Sequence, residues 1–229
     1  MPNSNIELLK RIAKHLRPLL HEVVLVGGCA TGLLIADEAA AEVRPTFDVD
    51  VIAEITSYAG YETFSERLRS LGFREDTTEG APRCRWLIDD MKLDVMPLDE
   101  NILGFTNRWY RAAMDEAIET EVDPTLRIRV ITAPYFIATK LDAFKGRGRG
   151  DYANSHDLED MLAVVDGREA ITGEITRAGE VRFYIAKQFL ILLETPAFVD
   201  SLPGYLLPDV SSQNRLPILL SKLKEISQL

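Results

Sequence analysis

Cysteine is scarce in this 229-residue chain. Cys29 and Cys84 lie far apart and in no redox or metal-binding spacing, which excludes a disulfide framework and a structural zinc site. Long apolar runs are missing too. No stretch approaches the roughly 20 residues needed to cross a bilayer, and the N-terminus lacks the basic-then-apolar pattern of a secretion signal, so the expectation is a cytoplasmic protein. An excess of positive charge is also absent: the formal net charge of -10 argues against a protein that coats nucleic acid nonspecifically, because such affinity comes from Lys and Arg on phosphates. What is present is a hydrophobic share of 46% and a charged share of 27%, the balance of a globular chain able to bury a sizeable core.

Periodicity divides the chain. Ile6, Leu9, Ile12, Leu16 and Leu20 recur at helical spacing over residues 5–20. The run Glu22-Val-Val-Leu-Val26 reads as a buried strand entering a tight turn at Gly27-Gly28, with a helix expected over 29–41. Residues 47–53 alternate as a second strand, 58–71 suit a helix, and 83–88 with 92–96 form a hairpin about Asp89-Asp-Met91. A helix is expected over 107–118 and a last strand over 126–131. From Pro134 onward only helical spacing remains, over 134–145, 156–165, 169–195 and 215–226. The expected organisation is an α/β (α+β) unit over 1–132, a mixed β-sheet flanked by helices, followed by a helical unit over 133–229.

Three acids stand out against this pattern. Successive strand side chains alternate, so Asp48 and Asp50 project to one face while Phe47, Val49 and Val51 take the other. Asp94, between Leu93 and Val95, supplies a third carboxylate if its strand lies alongside with its acid on the same face. Two carboxylates 4 Å apart repel by roughly 4 kcal/mol at an effective dielectric of 20. A cation or a shared proton relieves that repulsion, and hard oxygen donors select Mg²⁺ or Mn²⁺. A solvated sheet face is the ordinary alternative for a lone Asp-x-Asp. Combination with the glycine turn and with Asp94 shifts the balance toward a metal site, with Asp94 also able to take a proton.

A strand that ends in Gly-Gly and opens a helix lets backbone N–H groups approach phosphate oxygens. Two common phosphate motifs are excluded. Cys29 stands where the middle glycine of G-x-G-x-x-G belongs, and no Gly-Lys-Ser/Thr follows the turn.

Taken together, Val26-Gly-Gly-Cys-Ala-Thr-Gly-Leu-Leu34, Phe47-Asp-Val-Asp-Val51 and Lys92-Leu-Asp-Val95 resemble the nucleotidyltransferase superfamily of the DNA polymerase β type. Ile137-Ala-Thr-Lys-Leu-Asp-Ala-Phe144 and Ser155-His-Asp-Leu-Glu-Asp160 resemble its AbiEii and MenT toxin branch. The resemblance implies transfer of a nucleoside monophosphate from an NTP to an acceptor hydroxyl, pyrophosphate leaving. It implies metal ligation by Asp48, Asp50 and Asp94, with Asp94 as a candidate base. Gly27 and Gly28 would approach the triphosphate and Lys140 would neutralise it, while Asp157 matches a later acidic position of the toxin branch. It further implies a tRNA or other RNA end, or a protein, as acceptor and an antitoxin as partner. The interval from Gly28 to Asp48 exceeds the family's usual spacing, and Cys29 replaces a Ser or Thr, a role that Thr31 could assume.

Lesser signals have ordinary readings beside functional ones. Lys145-Gly-Arg-Gly-Arg149 is a basic loop that could meet phosphate or serve as a solvated linker, and His156 reads as a surface residue at a helix start. Trp86, Trp109 and Tyr110 read as core or groove-wall residues. Two further functions compete with the transferase: a nucleotide- or protein-binding module that lost catalysis, and a metal-dependent phosphohydrolase or nuclease using the same acids.

Overall fold

The computed structural model describes residues 4–37 and 39–229. They fall into two compact units. The first holds the chain up to Gly32 and Arg44–Thr132, and the second holds the stretch between Leu33 and Val43 and Ala133–Leu229.

In the first unit the order is α1 (Ser4–His15), a 3₁₀ turn at Arg17–Glu22, β1 (Val23–Val26), α2 (Gly27–Leu34) and β2 (Asp48–Ala53). α3 (Tyr58–Ser70), β3 (Arg74–Glu75), β4 (Arg85–Ile88), β5 (Met91–Met96), α4 (Glu100–Leu103), α5 (Tyr110–Asp115), β6 (Ile118–Asp123) and β7 (Leu126–Val130) follow. The strands form one mixed seven-stranded sheet in the order β3-β4-β5-β2-β1-β7-β6, parallel at β2–β5 and β1–β7 and antiparallel elsewhere. Leu9, Ile12 and Ala13 of α1 and Leu16 just after it face Leu25, Val49, Val51 and Ile128 of the sheet across an apolar seam. That seam buries the face of β2 opposite Asp48 and Asp50. Ile12 and Leu16 are 0% and 2% exposed, so each contributes about 1.5–3 kcal/mol of apolar burial.

The second unit is helical: α6 (Ala133–Arg147), α7 (His156–Gly167), α8 (Ile171–Thr176), α9 (Val181–Leu193), α10 (Pro196–Ser201), a 3₁₀ turn at Leu202–Tyr205, α11 (Val210–Gln213) and α12 (Leu216–Ile226). Phe136, Ile137, Leu158, Met161, Val165, Ile185, Phe189, Leu219 and Leu223 build its core. Ser155 caps α7, its hydroxyl accepting from the Leu158 amide. No helix of the described residues is long and apolar enough to cross a membrane.

Several elements differ from the sequence expectation, each for a local reason. The helix expected over 29–41 stops at Leu34. Beyond it the Ala36 and Asp37 amides both donate to the Gly167 carbonyl, Arg168 donates to the Leu34 carbonyl, and Arg215 bridges Asp37 and Asp166. These bonds draw residues 35–37 onto the end of α7, within the second unit. The helix expected over 107–118 shortens to α5, because Ile118–Asp123 pairs along β7 as a polar edge strand. The helix expected over 169–195 is broken into α8 and α9, with Gly179 at a φ of 61° between them.

Candidate active site

The acids are assembled by register. β2 and β5 run parallel with Asp50 opposite Asp94, so the three carboxylates share one face of the sheet. Asp94 is buried while Asp48 and Asp50 remain partly accessible. The segment leading into β2 is pinned from α1: the fully buried Asn5 donates to the Arg44 carbonyl at 3.0 Å and accepts from the Thr46 amide at 2.9 Å. Thr46 in turn donates from its hydroxyl to Asp48 Oδ1 at 3.0 Å. A buried amide on a helix thus orients a carboxylate at the start of a strand.

The glycine turn closes over the same acids. Gly27 has a φ of 66°, and a Cβ built on it would lie 1.9 Å from Asp50 Oδ2. Only glycine satisfies both the left-handed backbone and the close approach. Gly28 is tight as well, since its Cβ would meet Thr46 Oγ1 at 3.3 Å and Arg44 Nη2 at 3.4 Å. Bare backbone, the Asp50 carboxylate and the Arg44 guanidinium therefore meet at the β1–α2 turn. Cys29 points away from it into the core, where its thiol donates weakly to the Asp48 carbonyl at 3.4 Å. Thr31 is fully buried, and its hydroxyl has no hydrogen-bond partner.

Arg85 of β4 was not among the residues the sequence singled out, yet it is central. It stands opposite Asp94 across the antiparallel β4–β5 pair. Its Nε donates to Asp94 Oδ1 at 2.8 Å and its Nη2 to Asp94 Oδ2 at 2.7 Å, while the same Nη2 reaches Asp48 Oδ2 at 2.7 Å. The fork binds one carboxylate bidentately and ties a second to it. Burial pushes the Asp94 carboxyl above the usual carboxylate range, against the opposing pull of Arg85. The neighbouring Cys84 thiol is pushed up to about 12, by burial first and then by the Asp94 and Asp50 charges.

Three hard-oxygen donors on one face are the chemistry that Mg²⁺ or Mn²⁺ requires. As arranged, however, they do not fit such an ion. Arg85 takes both oxygens of Asp94 and one of Asp48, and among the described residues no group of three or more His, Cys, Asp or Glu is disposed to hold a metal.

Lys140 and Asp157 belong to the second unit. The Lys140 ammonium, 10% exposed, donates to Asp160 at 2.6 Å and to Asp157 at 3.5 Å. Arg147, from the basic stretch at the end of α6, binds Asp157 with a fork of 2.9 and 2.8 Å. Burial raises the Asp157 carboxyl, but the Arg147 hydrogen bonds and the Lys140 and Arg147 charges together hold it below its ordinary value. His156 is exposed and pairs with Glu159 at 3.1 Å.

The mixed seven-stranded sheet flanked by helices matches a nucleotidyltransferase-like fold. The chain is similar to an antigenic nucleotidyltransferase-like protein from Paracoccidioides brasiliensis, known from its crystal structure, at 15% identity and a TM-score of 0.51, over 89% of this chain and 94% of that one. It also matches the solution structure of the antibiotic-resistance factor ANT(2'')-Ia at 12% identity and a TM-score of 0.48, over 85% of this chain and 97% of that one. At 15% identity the first likeness is one of fold. No family model and no curated protein sequence matches the chain.

Proposed function

We propose that this protein is a nucleotidyltransferase, moving a nucleoside monophosphate from an NTP to an acceptor hydroxyl. The observation that carries the reading is the register of Asp50 with Asp94, which sets both acids and Asp48 on one sheet face beside the Gly27 turn. In the reaction the acceptor oxygen forms a bond to the α-phosphorus, the bond from that phosphorus to the β-bridging oxygen breaks, and pyrophosphate leaves with the electron pair. The acceptor's proton passes to a carboxylate. Asp94 is the acid for that task, because burial raises its affinity for a proton. Gly27 and Gly28 offer backbone that phosphate oxygens can approach without meeting a side chain. Dependence on Mg²⁺ or Mn²⁺ belongs to this reading, and so does an RNA end as acceptor with an antitoxin partner, on the toxin-branch resemblance. A triphosphate contact by Lys140 would require its ammonium to leave Asp160, and Asp157 would have to be released by Arg147.

Incubating the protein with α-³²P NTPs, Mg²⁺ or Mn²⁺ and whole-cell extract should label one class of acceptor. Asp94→Asn should lower transfer by roughly 10²- to 10⁴-fold, the range of a lost general base, with the circular dichroism spectrum unchanged. Undiminished labelling by Asp94→Asn would remove the assignment.

Arg85 also favours a second reading, a nucleotide-binding module without catalysis, since its guanidinium already compensates the acids. That module would be stabilised by NTP but would transfer no label with any acceptor fraction.

A further inference from the structure

Residues 8–21 contain Lys10, Arg11, Lys14 and Arg17 and no acid, in a chain whose net charge is -10. Lys10, Lys14, Arg17 and His21 recur at steps of three and four through α1 and the 3₁₀ turn after it. Their side meets the β6–β7 hairpin. Thr125 first, and then the Lys10 and Lys14 charges, hold the Asp123 carboxyl at its tip below the ordinary value. Arg17 and His21 line a groove together with Arg127 and Arg129 of β7. That groove encloses about 490 Å³. Ligand clefts run to roughly 300–1,000 Å³, so the space suits a ligand much larger than one ion, and Leu20, Leu126 and Ile128 add apolar surface to it. It lies at the start of β1, whereas the Gly27 turn and the acids lie at its end, about 13 Å away at roughly 3.3 Å per residue.

Most acids around the groove are engaged. Glu121 pairs with Arg127 at 3.0 Å, and the Glu22 carboxylate beside His21 is held by the Arg67 fork at 2.6 and 2.5 Å. Glu119 is the one acid lining it. It stands opposite Arg129, whose Nη2 donates to the Met114 carbonyl at 2.7 Å, a bond that leaves the guanidinium charge uncompensated. Arg17 is exposed and forms no ion pair among the described residues. Open cations around a partly apolar cleft, with no closed set of buried donors, suit a flexible chain of phosphates drawn in by charge more than a single anion. The apolar surface between them suits unpaired base faces. We infer that this groove binds a single-stranded nucleic acid through its phosphodiester backbone, with Arg17, Arg127 and Arg129 on phosphates and Glu119 opposing them. The acidic remainder of the surface confines such binding to this one place.

The test is fluorescence anisotropy of a fluorescein-labelled single-stranded RNA of mixed sequence, in EDTA, over a range of salt concentrations. The full chain should bind it, and the double variant Arg17→Gln with Arg127→Gln should bind roughly tenfold more weakly at about 50 mM salt. Two lost phosphate contacts should also reduce the slope of log affinity against log salt by about 1.4. Glu119→Gln should bind more tightly than wild type, a gain that misfolding cannot imitate and that decides the matter if the double variant does not fold. Lys145→Gln with Arg149→Gln, in the basic stretch of the second unit, should bind as wild type does. Several results would overturn the inference: no RNA binding by wild type at that salt, undiminished binding by the double variant, or a loss confined to the Lys145 and Arg149 variant. Displacement of the RNA by poly-L-glutamate as readily as by unlabelled RNA would overturn the choice of a phosphodiester chain, and preferential displacement by a duplex of equal length the choice of a single strand. No acid of the candidate active site lines the groove, so failure here leaves the label-transfer test standing, and failure of label transfer leaves this one.

Discussion

The Asp48–Asp94–Arg85 cluster of the first unit and the Lys140–Asp157–Asp160–Arg147 cluster of the second are made from the same ingredients, yet the openness of their acids separates them. In the second unit two carboxylates face two cations, and Asp160 is 1% exposed against a Lys140 ammonium at 2.6 Å. Every charge there is matched, as a buried ionic group requires if it is to survive desolvation. In the first unit the Arg85 guanidinium bridges Asp48 and Asp94, Asp48 keeps a side-chain exposure of 30%, and the bare backbone of Gly27 lies against Asp50. The balanced cluster behaves as a structural clasp between α6 and α7. The other is partly open, with strongly interacting titratable groups beside bare backbone, which is the character of a binding site.

Breaking the clasp should give the largest change in stability. Lys140→Met leaves Asp160 buried without its cation and should destabilise the protein by about 3–5 kcal/mol, the usual result of removing one partner of a buried pair. The urea unfolding midpoint checks it, and a change within 1 kcal/mol would mean that the clasp carries no such weight. Asp157 adds a pH dependence of defined sign. Its folded-state pKa is depressed, so its contribution is present above the ordinary carboxylate pKa and is lost as pH falls through the lower folded value.

A smaller effect should follow Gly27→Ala. The left-handed backbone alone costs about 1–2 kcal/mol for a residue with a Cβ, and the new methyl must move Asp50 besides. Nucleotide-dependent activity should therefore fall further than the unfolding midpoint does. A variant that lost stability but kept full transfer would show that the approach of Gly27 to Asp50 has no part in the chemistry.

The smallest effect concerns Cys84, beside the acids. With its pKa raised to about 12 and its side chain buried, it should stay an unreactive thiol toward Ellman's reagent between pH 7 and 9 in the native protein, then react fully in denaturant. The sign follows from linkage: folding favours the protonated thiol, and that contribution is lost only as pH rises from the ordinary thiol pKa toward the folded value. Rapid native-state reaction at Cys84 would show that the acid cluster is more open than its burial implies.

How far the sequence reveals these features depends on whether a signal is local. The alternation of Asp48 and Asp50 against Val49 and Val51 is a period-two pattern, and the burial of Val49 and Val51 against α1 follows it. Arg85 escaped for a reason of register. A turn of Asp89-Asp-Met91 was expected, but the turn is the two residues Asp89 and Asp90, with Asp89 at a φ of 50°. Pairing Ile88 with Met91 then sets Arg85 opposite Asp94, whereas a one-residue slip would have set Trp86 there and reversed every side chain of β4. An Asp-Asp pair between alternating runs was the signal available for that register. β6 escaped because an exposed edge strand of alternating acids lacks the apolar period that marks a buried one.

By itself, then, the sequence determined the periods: which residues alternate, which recur at helical spacing, and where glycine permits a turn. These are properties of neighbouring residues and need no partner. The tertiary structure decided the rest, namely that Asp94 meets Asp50, that Arg85 neutralises Asp48 and Asp94, that Lys140 is held by Asp160, and that Ala36 and Asp37 dock on Gly167. Those pairings join residues distant in the chain, and their free energies depend on burial and on which charges meet, quantities that exist only once the strands and helices have packed.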